Sequence, residues 1–325
     1  MKEFTINKND AGQRLDKYIT KSVPRLPQSL MYKYIRSKRI KVNGKRSEIS
    51  YRLVQNDIVS MYINDEFFEE VKPKYDFLSA GKELNIVYED ENILLIDKPS
   101  GLLSHPDGEN YSDTAISRAK RYLYEKSEYN PDEENSFAPA LVNRIDRNTS
   151  GIIIAAKNAE SLRILNEKLK KREIHKFYLC VVMGKLKNKR DLIEGYLEKN
   201  EKQNKVYISN KPTDKSKFIS TKYEVLGYKA GLSLLEVELL TGRTHQIRAT
   251  FAHLGTALLG DGKYGTNAQN KQFGSYKKQF LYSYKLTFDF KEDAGLLEYL
   301  NGKTFEAENV WFKKAFFDGT IVKPR

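Results

Sequence analysis

The sequence predicts an α+β fold: a mixed or antiparallel β-sheet with flanking helices, preceded by a small α/β module. Three observations predict it. Apolar runs of strand length recur from residue 84 onward, separated by turn-forming residues. Helical periodicity is confined to a few segments. The first 62 residues carry 14 basic and 5 acidic side chains, so roughly a fifth of the chain holds most of its net charge of +13. A hydrophobic content of 40% is enough to build a core. No apolar run reaches the roughly 18 residues that a membrane-spanning helix needs.

Residues 1–63 read as two short helices followed by strands. In AGQRLDKYIT, Leu15, Tyr18 and Ile19 fall at helical spacing. In QSLMYKYIRSK, Leu30, Met31, Tyr34 and Ile35 share one face, leaving Lys33, Arg36 and Lys38 on the other with Arg39 just beyond. IKVNG reads as a strand entering an Asn43-Gly44 turn, because these two residues accept the positive φ of a tight hairpin. DIVSMYI reads as a second strand. Residues 64–83 mix charges without a clear period and read as a linker, leaving 84–325 as the large domain.

Within that domain, NIVYEDENILLIDKPSG gives two apolar strands joined by an acidic turn and stopped at Pro99 and Gly101. GIIIAAKN is a short buried strand. NAESLRILNEKLKKR is a helix with Leu162, Leu165 and Leu169 in register and Asn158 as its N-cap. KFYLCVVMG and LSLLEVELL are further strands. THQIRATFAHLG is a helix opened by Thr244 and closed by Gly255, with Ile247, Phe251 and Leu254 as its apolar stripe.

The positive charge, concentrated near the N-terminus, points to a polyanionic partner bound by a dedicated nucleic-acid module. The first residues, MKEFTINKND, lack the apolar run of a leader. The single cysteine, Cys180, lies in an apolar strand and is expected as a buried thiol, not a nucleophile. A cytoplasmic setting is expected, with a monomer as the default. His105, His175, His245 and His253 form no HxH or HxxxH pair, so no metal is expected. No GxGxxG, P-loop or GxSxG motif supports nucleotide cofactors or serine hydrolysis.

Three segments can carry chemistry. In LVNRIDRNTSGIIIAAKN, Asp146 stands between Arg144 and Arg147, ahead of a turn-forming run from Asn148 to Gly151. Positive neighbours keep such a carboxylate ionised and available as a nucleophile or base, although an Asp beside Arg in a loop is more often a surface ion pair or an Asx turn. In TGRTHQIRATFAHLG, Arg248 leaves the helix away from the core stripe. Arg243 and His245 sit at its start, where donors can hold phosphate. In KFYLCVVMG, strand alternation sets Lys176, Tyr178 and Cys180 on the face opposite Phe177, Leu179 and Val181.

These segments, in this order, resemble the RluA family of pseudouridine synthases. NRIDRNTSG at 143–151 is similar to that family's HRLDxxTSG. Lys176–Tyr178 and Gly184 are similar to its K-x-Y strand. GRTHQIR at 242–248, followed by Gly260, Asp261, Tyr264 and Gly265, matches its third signature, and DKPSG at 97–101 its DKPxG turn. The closing FLYSYKLTF and YLNGKTF are similar too, so the likeness runs from about residue 84 to 308. Residues 1–62 resemble the small RNA-binding fold of ribosomal protein S-four, through RLDKYI, SLMYKYIRSKRI, KVNGK and NDIV. That module is typical of the larger family members, the RluC and RluD types.

The resemblance implies a pseudouridine synthase acting without cofactor or metal, with an S-four-like domain at 1–63, the linker at 64–83 and the catalytic domain at 84–325. It implies that Asp146 is the catalytic aspartate, Tyr178 the tyrosine against the target base, Arg248 the basic partner of the aspartate, and Arg144 the arginine near the flipped nucleotide. Arg147, Arg243, His245, Lys33, Arg36, Lys38 and Arg39 are expected to bind RNA. The sequence departs from the family at Asn143, which replaces the usual His, and at Ile145, which replaces Leu; the His is therefore expected to be dispensable for chemistry. Large-subunit (23S) ribosomal RNA is the expected partner, with transfer RNA as the alternative substrate. A non-catalytic ribosome-assembly factor and a nucleoside or RNA glycosidase, which also needs a carboxylate near C1′, are the competing classes.

Overall fold

The structure, a computed structural model, describes residues 1–69, 74–107, 112–203, 205–274 and 276–322. The chain begins with β1 (Lys2–Thr5), α1 (Leu15–Ser22), α2 (Gln28–Arg36), β2 (Ile40–Val42), β3 (Lys45–Arg46) and β4 (Ile58–Met61). The four strands form one antiparallel sheet in the order β1-β4-β2-β3. Leu15, Tyr18 and Ile19 of α1 and Met31 and Ile35 of α2 are buried against it, as their spacing predicts; Leu30 and Tyr34 are only half-buried. Asn43 (φ 50°) and Gly44 (φ 71°) both adopt positive φ, which matches the twist of the β2–β3 hairpin they close. Asn43 also bonds across to Asp57 and Ile58. Lys33, Arg36, Lys38 and Arg39 stand exposed on α2 and just after it.

Residues 64–83, expected as a linker, carry two 3-10 turns, Asp65–Phe68 and Asp76–Ser79; residues 70–73 lie outside the described residues. The second turn is packed. Phe77 is buried against Tyr124 and Tyr129, and Arg121 donates to the carbonyls of Leu78 and Ala80. The N-terminal module also docks through side chains. Asn7, Asn9, Asp10 and Gln13 bond to residues 133–136, and Asn9 Oδ1 accepts from the amide of Ala159 at 3.1 Å.

The large domain follows with β5 (Ile86–Glu89), β6 (Ile93–Lys98), α3 (Ala115–Glu125), β7 (Ala140–Leu141), β8 (Ser150–Ala156), α4 (Ala159–Lys170) and β9 (Ile174–Met183). Then come β10 (Arg190–Asn200), β11 (Lys205–Ser209), β12 (Lys217–Lys229), β13 (Leu232–Leu239), α5 (Gln246–His253), α6 (Asn267–Phe273), β14 (Leu281–Phe288), β15 (Thr304–Glu306) and α7 (Lys313–Asp318). Eleven strands make one mixed sheet in the order β11-β10-β12-β13-β9-β14-β8-β6-β5, with β15 on β14 and β7 on β8. Its pairs are antiparallel except β8 with β14, which run parallel. No helix among the described residues is long and apolar enough to cross a membrane.

Both faces of the central strands are covered, which is why GIIIAA reads as unbroken apolar sequence and every residue of β8 is buried. One face, carrying Leu179 and Val181, packs on Leu165 of α4 and on the C-terminal segments. The other, carrying Tyr178, Cys180 and Val182, packs on Ala115 and Ala119 of α3 and Ile247 and Phe251 of α5. Asn158 caps α4 by accepting from Ser161, as expected.

Two local expectations are corrected. α5 is preceded by His245, not Thr244, as its cap residue, and it ends at His253, so Leu254 lies past the helix and is 38% exposed instead of completing the stripe. The buried strand expected from Gly151 starts one residue earlier, so Ser150 belongs to β8 and not to the turn. Gly151 is needed because its φ is +115° and a Cβ there would lie 2.2 Å from the carbonyl oxygen of Ser283 on β14. Gly151→Ala should therefore lower stability by about 2 kcal/mol or more, read as a drop in the urea midpoint; an unchanged midpoint would contradict the close approach.

Candidate active site

A cleft of about 650 Å³ opens on the side of the sheet that carries Tyr178. The structure gathers every predicted site residue of the large domain around it: Asp146, Tyr178 and Arg248, with Arg144, Arg147, Arg243 and His245. The cations Lys33, Arg36, Lys38 and Arg39 are not among its walls; they belong to the N-terminal module.

Asp146 sits in the loop between β7 and β8, and that loop is fastened at several points. Lys98, fully buried at the end of β6, donates to the carbonyls of Pro99, Leu102 and Arg147 at 2.9, 2.7 and 3.1 Å. Burial pushes its ammonium down to about 7, opposed by the carboxylates of Asp146 and Asp97. Three carbonyls match the three N–H bonds of the charged form. The amide of Gly101 and the Nε of Arg147 link the DKPSG turn to the same loop. Ser104 Oγ donates to the carbonyl of Ile145 at 2.9 Å. Asn143 Oδ1 accepts from the amide of Ile154 on β8 at 2.8 Å, so this residue anchors the loop.

Arg248 projects from the first turn of α5 between two carboxylates, the buried Asp261 and the part-exposed Asp146. Its Nε and Nη2 donate to Asp261 at 2.7 and 2.9 Å, and Nη1 donates to Asp146 Oδ2 at 3.1 Å. Burial works against the guanidinium charge, but Asp261 and Asp146 more than restore it, so Arg248 is held above its ordinary value. Burial likewise pushes Asp261 up. The guanidinium and the amides of Lys263 and Tyr264 outweigh it and hold Asp261 below the usual carboxylate range. The fork on Asp261 fixes the guanidinium plane, which leaves one N–H aimed at Asp146.

The turn before α5 is locked by Gln246, whose amide bonds to Thr241, the amide of Arg243, Ser220 and Thr221. His245 adopts φ 56°; its Nδ1 lies 2.9 Å from Tyr264 Oη and its Nε2 3.7 Å from Asp146. Burial lowers its pKa, and Arg248 and Lys263 oppose the pull of Asp146. Its Nε2 thus faces the Asp146 carboxylate, and both residues line the cleft. Tyr178 is 5% exposed. Its phenol is pushed up to about 12 by burial, with Ser283 opposing and Asp146 adding. At neutral pH it offers an aromatic face and a neutral hydroxyl, not a phenolate. Arg144, Arg147 and Arg243 are exposed at the rim.

Sequence reasoning missed Asp261 and Lys98 as members of the site, although both lie in the quoted GDxxYG and DKPSG segments. Their signal was a motif without a chemical partner; only the fold brings the partner in.

The chain matches the sequence pattern of the RNA pseudouridylate synthase family over residues 92–253 and that of the S4 domain over residues 13–59. An RNA pseudouridine synthase of Mycoplasma capricolum, itself uncharacterized, is 33% identical over 97% of this chain and 100% of its own length. The ribosomal large subunit pseudouridine synthase C of Haemophilus ducreyi is 32% identical over 90% of this chain and 88% of its own. Among solved structures, human RNA pseudouridylate synthase domain containing 1 shares the fold with a TM-score of 0.53 at 18% identity, covering 79% of this chain and 99% of that one.

Proposed function

The chain belongs to the RNA pseudouridylate synthase family, and we propose from that premise that Asp146 breaks and re-forms the glycosidic bond of uridines in large-subunit ribosomal RNA. The observation that carries this reading is the chain of contacts from Asp261 through Arg248 to Asp146 at the cleft. A target uridine leaves the RNA stack and enters the cleft, and its base lies on Tyr178. The fixed guanidinium orients Asp146 through the Nη1 bond.

Asp146 then acts in one of two balanced ways. It attacks C1′, and the N1–C1′ pair departs with the uracil ring; or it takes the C2′ proton, and a glycal forms as the same pair departs. The ring turns, C5 bonds to C1′, and Asp146 is released or returns its proton. Loss of the C5 proton and protonation of N1 complete a redox-neutral isomerisation. The preference for large-subunit RNA rests on the name of the Haemophilus relative; the basic face of α2 supports binding to RNA in general.

The test is tritium release from C5-labelled uridine in a large-subunit RNA transcript. Release without free uracil supports a synthase, and free uracil marks a glycosidase. Silence on this transcript but release from transfer RNA overturns the target. Silence on both overturns the reaction.

A further inference from the structure

Lys176, a cation lining the cleft, has no assigned task. Lys176 lies on β9 two residues before Tyr178, on the same face and roughly 7 Å away along the strand. It sits one step beyond the last β9–β13 pair, Phe177 with Glu238, where β13 gives way to the turn before α5. It is half-buried, and its side chain has no hydrogen-bond or ion-pair partner among the described residues. Burial lowers its pKa, and no carboxylate pulls it back. An unpaired, partly desolvated ammonium is costly, and a cleft is where a ligand can supply the missing charge.

The residue facing it is Gly242. That glycine does not have positive φ, so its backbone does not call for glycine. A Cβ added there would meet Lys176 Nζ at 3.6 Å and would cover part of the ammonium. Arg243, exposed, is next in the chain. The group left open is thus a compact, three-donor cation beneath a glycine window in the cleft that holds Tyr178, a cleft that Arg243 also lines. Such donors suit a phosphate oxygen.

We propose that Lys176, Gly242 and Arg243 form a phosphate subsite that holds the phosphodiester flanking the flipped uridine. This rests on the reading of the cleft as the uridine site. The ammonium serves binding and register, and the reacting carboxylate remains with Arg248.

The test compares wild type, Lys176→Gln and Lys176→Arg on the large-subunit transcript. Dissociation constants are taken between roughly 50 and 200 mM KCl, alongside single-site tritium release and melting temperature. Lys176→Gln should flatten the plot of log affinity against log salt by about 0.7 for one lost single-strand contact. Its loss of kcat/KM should be carried by KM, and Lys176→Arg should restore the slope. An unchanged slope with a lower melting temperature would make Lys176 a packing residue, and an unchanged slope with a fallen kcat would move it to the chemistry; either overturns the subsite. If wild type released no tritium from any RNA, the reaction would fall, yet the slopes would still decide whether Lys176 meets a phosphate.

Discussion

Asp146→Asn is expected to reduce turnover by at least ~10⁴-fold, the scale on which loss of a nucleophile acts, while the protein stays folded. An amide keeps the size of the side chain but supplies neither a nucleophilic oxygen nor a base. Stability should change little for two reasons. The Asp146 side chain is 24% exposed, so its charge is not fully desolvated. Arg248 keeps its two bonds to Asp261, so no guanidinium is orphaned. The cost is therefore nearer that of a partly exposed pair, about 1 kcal/mol, than the ~3–5 kcal/mol of a broken buried one. RNA affinity should hold or rise slightly, because one negative charge leaves a cationic cleft. Tritium release, thermal melting and filter binding on the same preparation check the three statements. Turnover above about one per cent of wild type would remove Asp146 from the reaction.

How far the site could be read in advance depends on the range of the interactions. Strands β6, β8 and β9 were legible because both faces are buried, so the local apolar run records the packing directly. Strands β10 to β12 were not. Their burial alternates irregularly and leaves Leu192, Tyr207 and Phe218 exposed, so no period-2 signal survives. Helix α3, by contrast, was readable but missed: in AISRAKRYLYE the buried Ala115, Ile116, Ala119 and Leu123 fall at helical spacing. The left-handed backbone of His245 moved the start of α5 by one residue from Thr244, since a cap is settled by φ and not by residue type alone. Asp146, Tyr178 and Arg248 were named by motif, but their meeting spans long stretches of chain. The partner of Arg248, thirteen residues on at Asp261, has no periodicity to announce it. What sequence patterns report is local; the ion network and the clamp of Lys98 on the Asp146 loop are products of topology.

That network leads to the second large effect. Arg248→Met is expected to lower kcat/KM by about 10³-fold or more through loss of the group that orients Asp146, and also to destabilise the fold by ~3–5 kcal/mol, because the carboxylate of Asp261, 1% exposed, loses its counter-charge. The two effects can be separated by pH. In the wild type the folded-state pKa of Asp261 is depressed, so its stabilising contribution is present above the unfolded value near ~4 and is lost as pH falls through the folded value. Without Arg248, burial is the dominant influence and the folded pKa rises above the unfolded one. The sign then inverts: the folded variant holds its proton longer than the unfolded chain, so it gains stability as pH falls and loses it as pH climbs. The deficit relative to wild type should be larger at pH 8 than at pH 5 in urea denaturation. Adding Asp261→Asn removes the stranded charge while leaving an oxygen to accept from the amides of Lys263 and Tyr264. The double variant should regain stability and lose the pH dependence but should not regain activity, since nothing then holds Asp146 in place. Recovery of turnover along with stability would mean that Arg248 serves the fold alone. Persistent instability at both pH values would mean that the cost of the Met substitution lies in packing, not in the orphaned carboxylate.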